Sequence, residues 1–211
     1  DWSSDVCSSD LFMSLRLLKL ITNSLWIQYV GTIFFVFSPP LIFRLNLHEN
    51  LMGHFIILAA LYLNLKPYSK NERLQRVFSW VVLLAVAAMV HFYLFVIAVF
   101  LWLSDLASRL IIQKKYTLVN GILEIATVSI FLGLVVWQTG YFAIGGVSVG
   151  SGGYGDFRTN LLALFNSRGW SYWLRPLPLR DPVEAATGEG FQYMGTGAIF
   201  LLLSTLIALV K

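Results

Sequence analysis

The sequence predicts an all-α fold, a polytopic membrane helix bundle of about six spans, and three observations predict it. Of the 211 residues, 57% are hydrophobic and only 12% are charged, about half the charge of an ordinary soluble domain. Mean hydropathy is +0.72. The apolar runs are separated by short loops rich in Lys and Arg. Together these exclude a soluble globule, a disordered chain and a disulfide scaffold. The net charge of +4 and pI near 9.3 do not point to nucleic acid, because the basic residues stand beside apolar runs, where they orient helices in a bilayer. The lipid bilayer is the expected partner.

Residues 1–11, DWSSDVCSSDL, lack the basic start of a signal peptide and abut an apolar segment with no turn between them. The string resembles a translated sequencing-library adapter, an artefact that implies a chain cut before Phe12. Setting it aside removes the single cysteine, Cys7, and moves the net charge from +4 to +7 by loss of Asp1, Asp5 and Asp10. Residues 12–211 then read as a membrane-domain fragment, and the stop at Lys211 directly after an apolar run reads as a second truncation.

Crossing about 30 Å of hydrocarbon takes roughly 20 apolar residues of helix. Candidate spans fall at 25–43, 51–65, 74–90, 92–108, 117–138 and 194–210, the first interrupted by Ser38, Pro39 and Pro40. Lys66, Lys70, Arg73 and Arg76 mark one cytoplasmic loop, and Arg109, Lys114 and Lys115 mark another. Both loops share a side only if 77–104 crosses twice. As one helix it would be about 42 Å long, so a hairpin turning near His91 is expected.

That topology places 44–50, the His91 turn and the segment 139–193 on the far side. This segment balances four Arg against Asp156, Asp181, Glu184 and Glu189. Its first part, 140–155, holds seven glycines and reads as a loop, with no GxxxxGK[ST] or strand-anchored GxGxxG to cradle phosphate. In 156–174, Phe157, Leu161, Leu164 and Phe165 share one helical face before Trp170, Tyr172 and Trp173. A short interfacial helix is expected there, either an anchor or a platform for a lipid-linked substrate. Pro176, Pro178 and Pro182 keep the chain extended up to the last span.

Ionisable groups near hydrocarbon are costly unless paired or wet. Arg44, His48 and His54 fall within eleven residues at the far side. Snorkelling explains Arg44 readily and His54, inside a span, poorly. His48 and His54 lie six apart, off one helical turn, and no Cys or HExxH accompanies them, so no metal site is expected. His91 sits at the hairpin tip with Tyr93. Glu124, about 10 Å into the fifth span, is read as structural or snorkelling rather than as part of an ion path. Nothing supports a hydrolase triad or a Walker motif.

FSPPLIFRLNLHENLMGHFIILAALYL at 37–63, WVVLLAVAAMVHFYLFV at 80–96, and GYGDFRTNLLALFNSRGWSYWL leading to EGFQYMGTG resemble an uncharacterised family of bacterial multi-pass membrane proteins. That family is similar to the GT-C class of glycosyltransferases. The resemblance covers about 12–211. It implies a bacterial cytoplasmic-membrane protein that transfers a sugar from a polyprenyl-phosphate donor on the extracytoplasmic face. The catalytic Asp or Glu of such enzymes, a general base toward the acceptor hydroxyl, sits in the first extracytoplasmic loop, which the resemblance places upstream of Phe12, so residues 12–211 are expected to be inactive alone. Of the residues present, the resemblance leaves Arg44 and Arg158 to hold the donor phosphate through planar guanidinium forks. His54, His91, Glu189 and Tyr193 are left to shape the acceptor pocket. Glu189 serves either as an acid or base or as a cap on the last span. No cofactor is evident apart from the lipid-linked sugar substrate. A transporter or lipid flippase, and a non-enzymatic envelope scaffold, are the rival readings; a transporter would show internal repeats with paired broken helices, which the sequence lacks.

Overall fold

The computed structural model describes residues 2–44, 52–143, 161–178 and 191–210. Among them the chain is all-helical, without strands. It divides into two compact units, one of 1–32 with 50–147 and one of 33–49 with 148–211.

In the first unit, α1 (Trp2–Ile21) runs as one helix through the junction at Phe12, and α2 (Leu25–Val36) begins after a short break. α4 (His54–Leu65), α5 (Arg73–Val90), α6 (Phe92–Ala107) and α7 (Leu118–Gln138) follow; α1 packs on α4, and α4 to α7 pack on one another. Their apolar residues build one core from Ile56 and Ala60 on α4, Trp80 and Leu84 on α5, Leu94 and Ala98 on α6, and Val128 on α7. A Cβ at Gly53 would lie 2.9 Å from Leu94 Cδ1 and 3.3 Å from Val90 Cγ1. The start of α4 therefore abuts the turn between α5 and α6.

That turn is a single residue. His91, in extended conformation (φ −164°, ψ 135°), closes α5 and opens α6. Its Nδ1 accepts a hydrogen bond from the Tyr93 backbone N–H at 3.2 Å, a cap in place of the absent Gly or Pro. Arg76 and Asp105, at the far ends of the two helices, are bonded to each other. The chain thus doubles back at His91 as expected, so that 77–104 forms two antiparallel helices.

In the second unit, α3 (Pro39–Arg44) follows α2 after Phe37 and Ser38, where Pro39 removes a backbone donor. The last helix, α8 (Thr196–Val210), has no buried residue. Between them, Phe43, Trp170 and Phe191 form an aromatic cluster with ring centroids 4.7–5.6 Å apart.

Two expectations about these elements need correction. Helices Leu25–Arg44, Arg73–Val90, Phe92–Ile112 and Leu118–Gln138 are long and apolar enough to cross a membrane, the first counted through its break. His54–Leu65 and Thr196–Val210, of 12 and 15 residues, are shorter than a full crossing. The interfacial helix is also absent from the described part of 156–174. Leu161–Leu164 makes one 3-10 turn and the chain then leaves helical geometry. Arg168 (φ 46°) and Gly169 (φ 90°) are left-handed. Asn166 Oδ1 accepts from the Arg168 and Leu177 N–H groups, and Ser167 Oγ donates to the Leu174 carbonyl at 2.8 Å. Such side-chain bonds offer the backbone an alternative to the helix ladder. Tyr172 and Trp173 are nonetheless strongly exposed, as aromatic rings at a lipid interface would be.

Candidate functional site: a buried charge network and the opposite end

The largest concentration of polar chemistry in the first unit lies where α5, α6 and α7 meet, near the basic loops. Arg76 stands one turn into α5, Asp105 in the last turn of α6, and Glu124 about two turns into α7. Arg109 rides on a π-helical turn, Ser108–Ile112, that continues α6; such widened turns re-aim a side chain relative to an α-helical register. All four are buried, Arg109 completely.

Their bonds form a chain. Arg76 grips Asp105 through Nη2 at 2.6 Å and Nε at 3.1 Å, while Nη1 donates to the Lys66 carbonyl at 3.0 Å and Nη2 also donates to the Leu63 carbonyl. Trp80 Nε1 adds a donor to Asp105 at 2.9 Å. Arg109 Nη2 lies 3.1 Å from the same carboxylate. It then forks onto Glu124, Nη1 to Oε2 at 2.8 Å and Nη2 to Oε1 at 2.7 Å. Trp102 Nε1 and Tyr116 Oη complete the Glu124 shell at 3.0 and 2.7 Å. The Arg109 guanidinium also sits 4.6 Å from the Tyr116 ring centre and 5.6 Å from that of Tyr68. Burial, then the bond to Glu124, pushes the Tyr116 hydroxyl up to about 12, so it remains a donor at neutral pH.

Two cations and two carboxylates cancel, and nearly every strong donor and acceptor among them is used. In a low-dielectric interior, charges persist only when paired and hydrogen-bonded to this degree. The arrangement ties three apolar helices together at one end, and its saturation leaves little capacity for substrate chemistry. Arg76 and Arg109 were expected to mark cytoplasmic loops; the structure places them on helices, buried and paired. Glu124 is structural, as expected, but through Arg109 and not by reaching toward water.

The sequence-derived candidates lie elsewhere. His54 is the first residue of α4, with Nδ1 3.8 Å from an Asp10 carboxylate oxygen. His91 is half-buried at the α5–α6 turn, its ring 5.0 Å from that of the exposed Tyr93. Because Gly53 abuts Val90 and Leu94, His54, His91 and Tyr93 share the end of the unit opposite the charge network. Arg44 closes α3 in the second unit. There too, Tyr193 is buried and its hydroxyl lies 2.6 Å from Thr196 Oγ1, which in turn lies 2.8 Å from Ser171 Oγ. Tyr193 thus stands, packed and bonded, three residues before α8. His48, Arg158 and Glu189 lie outside the described residues. Among the described residues no group of three or more His, Cys, Asp and Glu is arranged to hold a metal.

Apolar helices long enough to cross a membrane, pinned at one end by a neutral buried ion network, define the class: a helical membrane domain. The chain belongs to the DUF6311 family, described as a domain of unknown function, which it matches over residues 7–211. No curated protein and no solved structure matches it.

Proposed function

We propose that the chain is part of a GT-C-like glycosyltransferase of a bacterial cytoplasmic membrane, using a polyprenyl-phosphate-linked sugar on the extracytoplasmic face. The observation that supports this reading is the division of polar groups between the two ends of the first unit. At the basic end the buried charges are consumed by one another. At the other, His91 uses Nδ1 as a helix cap, which leaves the other ring nitrogen, Nε2, to meet a ligand, and Tyr93 is exposed beside it. In the proposed reaction an acceptor hydroxyl oxygen attacks the anomeric carbon and the bond from that carbon to the carrier oxygen breaks. Polyprenyl phosphate departs with the electron pair, and a general base takes the hydroxyl proton. His91 and Tyr93 would contact the sugar or its carrier; the base belongs to a part of the enzyme other than the residues described.

The experiment is photocrosslinking with a diazirine-bearing polyprenyl-phosphate sugar in membranes containing the protein. The reading expects adducts at 91–93 that excess unlabelled donor competes away. Adducts confined to 66–76 and 109–116, or insensitive to competitor, would reject it. A transporter or lipid flippase is the second reading, favoured by the ionisable residues Asp105, Arg109 and Glu124 within apolar helices. Lipid scrambling in proteoliposomes containing the protein, at a rate above that of protein-free vesicles, would support it over the first.

A further inference from the structure

At the basic end of the first unit a cavity of about 150 Å³ opens between α1, the end of α4 and the start of α5. Arg16, Lys66, Glu72, Gln75, Arg76 and Ser79 line it. Arg76 is neutralised by Asp105 and Lys66 is paired with Glu72, so the uncompensated charge belongs to Arg16. Lys66 Nζ meets Glu72 at 3.2 Å, in a pair that is more than a third exposed on both sides, the kind of contact that water weakens and another anion can replace. Arg16 is exposed, with its guanidinium stacked 4.6 Å over the Phe12 ring. That contact occupies a face of the guanidinium and leaves its N–H edge open. Arg76 engages four of its five N–H groups, so one Nη1–H remains. Gln75 adds an amide.

The space equals about five waters and is below the roughly 300 Å³ of sites for larger organic ligands. A compact oxyanion that accepts from several directions fits both the volume and the donors, and Arg with Lys is the pairing that recognises phosphate. We propose that this cavity binds the phosphate group of a mono- or diester, held by Arg16 and Lys66 with help from Gln75 and the spare Arg76 N–H. The cavity lies at the end away from His91, so the proposal stands or falls independently of the transferase reading. The phosphate has two sources, an anionic phospholipid headgroup or a soluble phosphate.

The test uses the full chain in neutral detergent. Calorimetric titration with inorganic phosphate probes the soluble source. Native mass spectrometry with phosphatidylglycerol, referenced to zwitterionic phosphatidylcholine, probes the headgroup. The proposal expects one-to-one binding of at least one probe. R16Q/K66Q should weaken it roughly 10-fold or more, whereas K114Q/K115Q, with the same charge change outside the cavity, should alter it no more than about twofold. Gln75→Glu, which adds a carboxylate and leaves both cations, should weaken binding as well and guards against a folding defect in the double variant. Binding of phosphatidylglycerol alone assigns a lipid headgroup; binding of inorganic phosphate alone assigns a soluble ligand. Binding of neither probe, or equal weakening by the two double variants, overturns the proposal.

Discussion

At the basic end of the first unit, two arginines and two carboxylates are buried among tryptophan and tyrosine side chains and bonded to one another. At the opposite end, His91 and Tyr93 sit at a one-residue turn, half or fully open to the surroundings. Both ends are rich in polar groups, but the four-charge network is sealed from solvent, whereas His91 and Tyr93 are open to it. The contrast separates polar residues that hold helices together from polar residues left for a ligand. A buried ion pair contributes modestly when complete and is strongly missed when half of it is removed, whereas a half-buried histidine at a turn can be exchanged at the smaller expense of its cap.

The sharpest way to break the contrast is Arg109→Leu. It strands Glu124 and part of the Asp105 shell, so unfolding in detergent should lose about 3–5 kcal/mol. Arg109→Leu with Glu124→Leu should lose less than the sum of the single losses, with a coupling of about 1–3 kcal/mol. Additive losses would mean that the network does not act as a unit.

Asp10 gives a smaller and pH-dependent effect. Burial pushes its carboxyl up to about 7, so the folded chain holds this proton more tightly than the unfolded one. Its contribution to stability is then fully present below about pH 4 and is lost as pH rises through 7. Asp10→Leu should flatten that slope and raise stability at pH 8 by about 2 kcal/mol. An unchanged unfolding profile between pH 4 and 8 would remove Asp10 as its source.

At the other end the effects should be smaller still. His91→Ala removes the cap on α6 and should cost about 1 kcal/mol; His91→Asn, which can cap in the same way, should recover most of it while still losing crosslinking to the lipid-linked sugar. Loss of crosslinking in both variants together with recovered stability in the Asn variant separates a ligand role from a capping role. Tyr93→Phe should change stability by less than about 0.5 kcal/mol.

Much of this architecture was legible in the sequence, and the part that was not has a specific cause. Apolar runs announce helices, and the 28 residues of 77–104 are too long for one crossing, which located the turn at His91 although neither Gly nor Pro marks it. The charge network was hidden because Lys and Arg at helix ends orient spans whether or not they are paired. The clue lay in symmetry about the turn. Arg76 stands 15 residues before His91 and Asp105 14 after it, so a hairpin of straight helices sets them side by side. Arg109 and Asp105, four apart, then share a face. Glu124 was visible as an odd acid in an apolar run, but its partner required knowing that α7 sets it against Arg109 on the π-turn after α6. The interfacial helix failed for a local reason: Asn166, Ser167 and Gly169 carry turn chemistry that the pattern of Phe and Leu positions does not register. Of the site candidates, Tyr193 turned out to be packed and bonded, while His54, His91 and Tyr93 do gather at one end.

The account rests on those two ends facing opposite sides of a bilayer. With Cys7 replaced by Ser, single cysteines at His91 and Lys115 can be labelled with a membrane-impermeant maleimide in sealed right-side-out vesicles. The account predicts that the cysteine at 91 reacts in intact vesicles and that the one at 115 reacts only after lysis. Equal labelling of both in intact vesicles, or protection of 91 with reaction at 115, would contradict it.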